Sequence, residues 1–483
     1  MRNVKPSSRE SNSADKGSWN LQVQQGVFVQ DKSVTATLCG FVSEVNTQAL
    51  PREVVDRAAL LVTDSIGVAI RARKDAESTP ALLAAVARMG MDAGRGTVFA
   101  DDKGYAFPAA ALINGSLIHS LDFDDTHIAA TVHPSAPVLA AALAAGQMAG
   151  ASGANVLAGV IAGYEVMCRL GRALKPADHY DRGFHPTATT GAFGATVAAG
   201  RALGLSAQQL EMAMGICLSQ SAGSMQFLAN SAWTKRFQVG NAAMVGVIAA
   251  SLASEGFVGA ADAVEGDAGF LKSYAPDPDP QLAVKGLGDD WETLQIGVKP
   301  YPSCRFSHAA IDGIVDIVGT GAHESDICDI AIGLPRKGMD LTALPQEFRR
   351  KPKGVVGGQF SMHFTAAVSA QTGNLTWDDY AKYLEDATTL SLAERIDVSE
   401  DAQMDAIYPE RMGGKVTIRF RDGTSESRCV EIPRGEPENF PGADLHQTKF
   451  LSLAEPVLGD AALGLHERLT SFAEADSVDT LFG

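Results

Sequence analysis

From residue 33 to about residue 275 the chain is built almost without interruption from small apolar residues at helical spacing, and this limits what it can fold into more than any other feature. Segment 51–72 opens with Pro51, suited to a first helical turn, and carries Val54, Ala58, Leu61, Val62 and Ile66 on one helical face. Similar runs follow near 106–120, 134–149, 153–174, 187–203, 207–222 and 240–255, separated by Gly, Ser, Asp or Pro. Stretches such as GAFGATVAAGRALGLS and VLAAALAAGQMAGASGA carry little side-chain bulk, so helix axes built from them can approach closely. Ala is also the strongest helix former. Both facts predict a helical bundle buried on several sides.

The texture breaks at PDPDP, just after residue 275. Beyond it, DIAIGLPR (329–336) reads as a strand. KVTIRF (415–420) and SRCVEIP (427–433), joined across Arg421-Asp422-Gly423, read as a β-hairpin. Helical stretches at 307–319, 361–371 and 376–387 accompany them, and an amphipathic helix is expected over 444–475. The predicted fold is mainly α with an inserted α+β domain. Residues 31–280 and 440–483 make the large helical domain, 281–439 the smaller α+β domain, and the polar, Ser-rich segment 1–30 a disordered tail.

A chain of 483 residues has room for two such domains, and 46% hydrophobic residues are enough to fill their cores. Forty basic against 57 acidic residues give a net charge of −17, which argues against a nucleic-acid or anionic-membrane partner. An anionic substrate would need a locally basic pocket inside that repelling field. The six cysteines are scattered, with no CxxC pair, which points to a reducing compartment. The first residues carry no apolar signal core, and no stretch of about 18 strongly apolar residues runs unbroken. Together these predict a cytoplasmic protein without a membrane span.

Four constellations carry chemistry. HSLDFDDTHIAATVHPSAP (119–137) packs Asp122, Asp124, Asp125, Thr126, His127 and His133 into one turn-rich stretch. Asp and Thr are natural caps there, yet carboxylates beside imidazoles also set each other's protonation states. The Gly-at-the-bend alternation of a calcium loop is absent. In DRGFHPTATTG (181–191), His185 precedes a proline at a helix start, where exposed N–H groups favour a carboxylate or where a histidine simply caps. In SAWTKRFQVGNAA (231–243), Lys235 and Arg236 stand in an otherwise small, apolar segment. In KPYPSCRFSHAAID (299–312), Cys304, Arg305 and His308 cluster. A positioned His with an Arg that reads carboxylate is the more economical reading than a Cys–His nucleophile. No dinucleotide or P-loop glycine pattern, nucleophile elbow or HExxH zinc motif occurs, so no cofactor and no metal is expected. Imidazoles and cations without a cofactor suit proton abstraction beside a carboxylate.

With DSIGVAI (64–70), LDFDDTH and HPSAPVL (121–139), GYEVMCRLGRAL (163–174), GFHPTATTGAFGA (183–195), TKRFQVGNAA (234–243), GFLKSYA (269–275) and YPSCRFSHAAID (301–312) in this order, the chain resembles the MmgE/PrpD family. The resemblance runs from about 33 to 475. It implies a homodimer, a cleft between a helical and an α+β domain, and a site formed by Asp122, Thr126, His133, His185, Lys235 and His308. Where relatives often carry a cation before Phe-Ser, this chain has Gln359. Phe364 stands near a tyrosine of the decarboxylases, with His363 beside it. Gln359 and His363 therefore join Asp122, Thr126 and Arg305 as expected substrate contacts.

The family implies a cofactor-independent lyase of small di- or tricarboxylic acids, with dehydratase the common label. Decarboxylation of the cis-aconitate type and epimerisation are the alternatives, and a non-catalytic carboxylate binder is the alternative from another class. In the expected mechanism His185 or Lys235 accepts the proton and His133 or His308 is the complementary acid. Arg305 and Lys235 hold carboxylates, while Asp122 and Thr126 orient the imidazoles.

Overall fold

The computed structural model describes residues 33–230, 232–319 and 324–482; the segment expected to form a disordered tail lies outside them. The first part of the chain forms helices α1 (Val34–Glu44), α2 (Arg52–Asp75), α3 (Thr79–Arg88), α4 (Phe107–Ile118), α5 (Ser135–Ala149), α6 (Gly153–Ala173), α7 (Pro176–Asp181), α8 (Pro186–Ala202), α9 (Ala207–Leu218) and α10 (Thr234–Ser254), all of which except the short α7 contribute to the first core. A two-residue ribbon, β1 (Gly96–Thr97) with β2 (Gly104–Tyr105), precedes α4. Serines start several helices: Ser33 and Ser152 accept N–H groups of the first turns of α1 and α6, and Ser206 forms a reciprocal capping box with Gln209.

The small residues act as their spacing predicts. A Cβ on Gly159 of α6 would lie 2.6 Å from the Ala198 carbonyl of α8, and one on Gly240 of α10 would lie 2.2 Å from the Leu112 carbonyl of α4. Backbone therefore packs directly on backbone at these crossings. Helix α10 begins at Thr234, earlier than the periodicity indicates, and among the described residues it alone is long and apolar enough to cross a membrane. Its Val239, Gly240, Ala243, Val247 and Ala250 are buried in the bundle, so it is a core helix with one face left outward.

The second core lies on a four-stranded sheet of order β4-β3-β5-β6, formed by β3 (Ile327–Leu334), β4 (Ile396–Glu400), β5 (Gly414–Phe420) and β6 (Ser425–Val430). The expected hairpin is β5–β6, antiparallel, turning through Gly423 at φ 89°. Strand β4 pairs parallel to β3 and is not foreseen by the sequence, because IDVSE buries only two side chains. Ile330, Ile332, Val416 and Ile418 pack against the helix His308–Val318 and the helix Met362–Thr372.

The final segment is two helices, Ala443–Leu458 and Ala461–Thr470, rather than one; Pro456 and Gly459 (φ 58°) break it. Phe450, Leu453, Ala454, Leu465 and Leu469 belong to the first core. Phe450 lies so close to α2 that a Cβ on Gly67 would meet its ring at 2.9 Å. Lys449 donates to the buried Asp64 carboxylate and to the Phe123 carbonyl.

Candidate active site

Side chains from both cores line a cleft of about 1810 Å³. One wall is the turn-rich loop after α4. His119 ends that helix, and Asp122 then takes a left-handed conformation (φ 51°) that suits Asp better than most residues. The chain reverses there, and its three aspartates meet three different environments. Asp122 lies between two ammonium groups, Lys235 Nζ and Lys299 Nζ, each at 3.1 Å, and Lys299 also donates to the Asp122 carbonyl. Asp124 Oδ2 lies 2.7 Å from His119 Nδ1, and Asp124 Oδ1 is 3.4 Å from His133 Nδ1. Asp125 turns away from the cleft and bonds Ser135, whose hydroxyl contacts Tyr164.

Their charge states differ accordingly. Burial alone would raise the Asp122 carboxyl, but Lys235 and Lys299 hold it well below the usual carboxylate range. Asp124 is likewise held low, against its burial, by the imidazoles of His133 and His119. Burial pushes Asp125 up to about 8, which favours its neutral acid at neutral pH. Burial opposes the charge on Lys235, yet Asp122 and Asp124 raise its ammonium above the ordinary value. Lys235 is thus placed between Asp122 and Asp124 as a cation that holds charge. Lys235 and Lys299 together offset the charges of Asp122 and Asp124, so the loop's carboxylates are neutralised locally inside an acidic protein. Arg349 and Lys353 line the cleft as well.

The imidazoles form a second cluster. The His119 ring lies 4.8 Å from that of His133 and 5.9 Å from that of His185, centroid to centroid. His133 is the half-buried member, with its backbone N–H on Thr187. His185 is the residue before Pro186 at the start of α8, and its Nδ1 lies 2.8 Å from the Gln238 amide nitrogen. Burial, reinforced by the neighbouring His119 and Lys235, holds His185 well below the ordinary imidazole value. Burial lowers His119 to about 4 in spite of Asp124. Among the described residues, His119, Asp124 and His133 are the one group of ligand types placed near enough to hold an ion, their atoms within 4.8 Å of one another. An ion there would compete with the His119–Asp124 bond.

Of the nine residues expected from the sequence, Asp122, His133, His185, Lys235 and Gln359 line the cleft. Gln359 acts as a strap: its amide N–H groups reach the Leu121 and Pro302 carbonyls, at 2.5 and 3.1 Å. The other four stand behind or away from it. Thr126 exchanges two backbone hydrogen bonds with Gly297, which brings Lys299 to Asp122, and its hydroxyl is buried. Arg305 is buried against Glu436 and also donates to the Val298 carbonyl, so its guanidinium is not free to hold a substrate carboxylate. His308 has both ring nitrogens engaged, by Arg305 and by the Ser303 carbonyl, and burial pushes it well below the usual range. His363 sits inside the second core beside Gln346, lowered by burial to about 4. Arg305, His308 and His363 thus depart from the contacts expected of them. Cys304 is buried and its thiol is pushed up to about 11, which leaves no thiolate for covalent chemistry.

Two site residues were not singled out in the sequence, His119 and Lys299. Both lie inside quoted motifs, but only the left-handed turn at Asp122 and the Thr126–Gly297 bridge place them at the site.

Models of the MmgE/PrpD N-terminal and C-terminal domains match residues 36–283 and 301–469. A cis-aconitate decarboxylase of Aspergillus terreus is 28% identical over 470 residues, covering 91% of this chain and 94% of its own. The human cis-aconitate decarboxylase is 34% identical over 214 residues, 43% of this chain and 44% of its own. The mouse protein of that name is 31% identical over 260 residues, 52% of each chain.

Proposed function

The chain belongs to the MmgE/PrpD family, and from that premise we propose that it is a lyase that decarboxylates a small unsaturated tricarboxylic acid of the cis-aconitate kind. The observation that carries this reading is that Lys235, held on Asp122, and the imidazoles of His119, His133 and His185 line one cleft, with Lys299 and Asp124 buried behind them. Lys235, Arg349 and Lys353 offer cations to a carboxylate at the cleft wall, and an adjacent imidazole with access to the cleft moves a proton. The near full-length likeness to proteins named cis-aconitate decarboxylase favours loss of carbon dioxide over loss of water.

In this reading the substrate loses the carboxylate on its CH2 carbon. The C–C bonding pair becomes a terminal alkene, and the original double-bond pair moves to the carbon beside the distal carboxylate. The negative charge that develops there is enolate-like, and Lys235 stands ready to stabilise it. A proton from His133, oriented by Asp124, completes the step, so that one carbon dioxide and one alkene dicarboxylate leave. No cofactor enters this scheme.

Incubation in deuterated water with cis-aconitate and a panel of related acids, followed by NMR, tests it. Decarboxylation gives new terminal-alkene signals and one deuterium in the methylene of the product. Exchange without net reaction would identify an epimerase, and alkene formation from a hydroxy acid without loss of carbon would identify a dehydratase. Dialysis against a chelator should leave the rate unchanged; its loss would sink the cofactor-free scheme.

A further inference from the structure

His185 enters the cleft wall through an unusual junction. Its backbone N–H bonds the Gly223 carbonyl, Phe184 bridges Ser224, and the Met225 N–H returns to the Gly183 carbonyl. Segment 223–225 therefore fixes the backbone around His185. The same segment orients Gln238 on α10. The Ser224 backbone N–H, which can only donate, bonds Gln238 Oε1 at 3.0 Å, and Gln238 Nε2 reaches the Ser224 carbonyl at 3.3 Å. These two contacts settle which end of the amide is which. Gln238 Nε2 is then the atom 2.8 Å from His185 Nδ1, and an amide nitrogen can only donate.

A ring nitrogen that accepts a hydrogen bond carries no proton, so the proton of the neutral ring sits on Nε2. Protonating Nδ1 would set two donors against each other, and rotating the amide would relieve that clash only by losing both Ser224 contacts. We propose that Gln238 is a positioning residue that locks His185 in the neutral Nε2–H tautomer, so that His185 serves the cleft as a fixed hydrogen-bond donor and not as a base. This refines the decarboxylase reading and rests on it for the catalytic part: His185 donates to a substrate carboxylate or to the enolate-like oxygen, leaving proton delivery to His133. The depressed imidazole value of His185 agrees. Gln238 itself does not line the cleft, so it acts through His185 alone.

The test uses full-length protein labelled with 15N in histidine, with the His185 signal assigned by its loss in His185→Gln. Long-range 1H–15N spectra between about pH 5 and pH 8 should show protonated Nε2 and bare Nδ1 throughout. In Gln238→Glu, a carboxylate faces Nδ1 and accepts, so His185 should gain a proton on Nδ1 and titrate as an imidazolium within that range. The kcat of this variant for cis-aconitate should fall roughly 10²-fold, with KM little moved and a new limb in the pH profile. Gln238→Leu, which removes the donor without adding charge, leaves the burial and Lys235 that oppose the imidazolium, so it should release the tautomer alone: a neutral Nδ1–H form should appear beside Nε2–H, and this variant covers the case in which the glutamate one fails to fold. A wild-type His185 protonated on Nδ1, or titrating near the ordinary imidazole value, overturns the proposal. So does a tautomer unchanged in folded variants. Because these spectra need no substrate, a clamp seen as expected in a protein inert toward cis-aconitate upholds the tautomer lock and removes the substrate reading alone.

Discussion

At the scale of single residues, chemistry and support separate cleanly. His133→Gln should lower kcat by about 10²- to 10⁴-fold with only a modest fall in melting temperature, because its ring lines the cleft and, besides the proton it moves, faces only Asp124 and His119 among the described residues. Arg305→Ala should do the opposite and cost about 3–5 kcal/mol of stability, read by denaturant unfolding, since it strands the buried Glu436 carboxylate. If Arg305→Ala kept its stability and lost substrate affinity, a direct hold on the substrate would be restored. Asp125 gives a test with a sign. Its folded value of about 8 lies above the ordinary 3.8, so the folded protein keeps a proton that the unfolded chain releases. Wild-type stability is therefore lost as pH rises through that window. Asp125→Asn mimics the neutral acid toward Ser135, and its melting temperature relative to wild type should climb between about pH 5 and pH 8. A constant difference would mean that Asp125 is ionised. Asp122, His133, His185 and Lys235 were legible in the sequence because such residue types stand out in an Ala- and Gly-rich chain. Arg305 and His308 stood out for the same reason yet serve each other, and residue type alone does not distinguish a paired cation from a free one.

At the scale of elements, close helix crossings and one uncovered face matter most. A methyl group at Gly240 must displace the Leu112 backbone or the α4–α10 crossing, so Gly240→Ala should destabilise by about 1–3 kcal/mol, visible as a lower melting temperature. The outward face of α10 carries Phe237, Met244, Ile248 and Leu252 at helical spacing, with Phe257 bonded back to Leu252 through its backbone N–H. This stripe, with Trp233 and Val258 also exposed, has the composition of an interface. We propose that a second copy of the chain covers it, which fits the homodimer implied by the family. Leu252→Glu should shift the protein toward monomer in light scattering, and an unchanged mass would move the interface elsewhere. The helices were legible because a periodic pattern sustained over several turns has few other solutions. Strand β4 and the break at Pro456–Gly459 were not: one is too short to carry a pattern, and the other lies within a run whose apolar spacing continues across it.

At the scale of the whole molecule, the two cores meet around a cleft whose chemistry sits mostly on the first, with the second supplying Gln359 and Arg349 to the cleft lining. The overall charge of −17 would repel the acid substrate proposed above, and Lys235, Arg349 and Lys353 offer it cations at the cleft wall. Lys449 adds something that a static picture hides. It reaches back 326 positions in sequence to the carbonyl of Phe123, in the same loop as Asp122 and Asp124, and closes over the buried Asp64. A ribosome makes the loop's aspartates long before it makes the lysine that ties them down. Until that lysine emerges, Asp64 lacks its cation and Gly67 lacks the ring of Phe450. The nascent enzyme should therefore stay inert until its last helices are out, and a chain ended before Ala443 should bind no substrate and expose its α2 face to proteases. A truncated chain with normal turnover would show that the loop sets without its fastening. Timing is thus built into the contact, since the loop of Asp122 and Asp124 is written early and its fastening by Lys449 late.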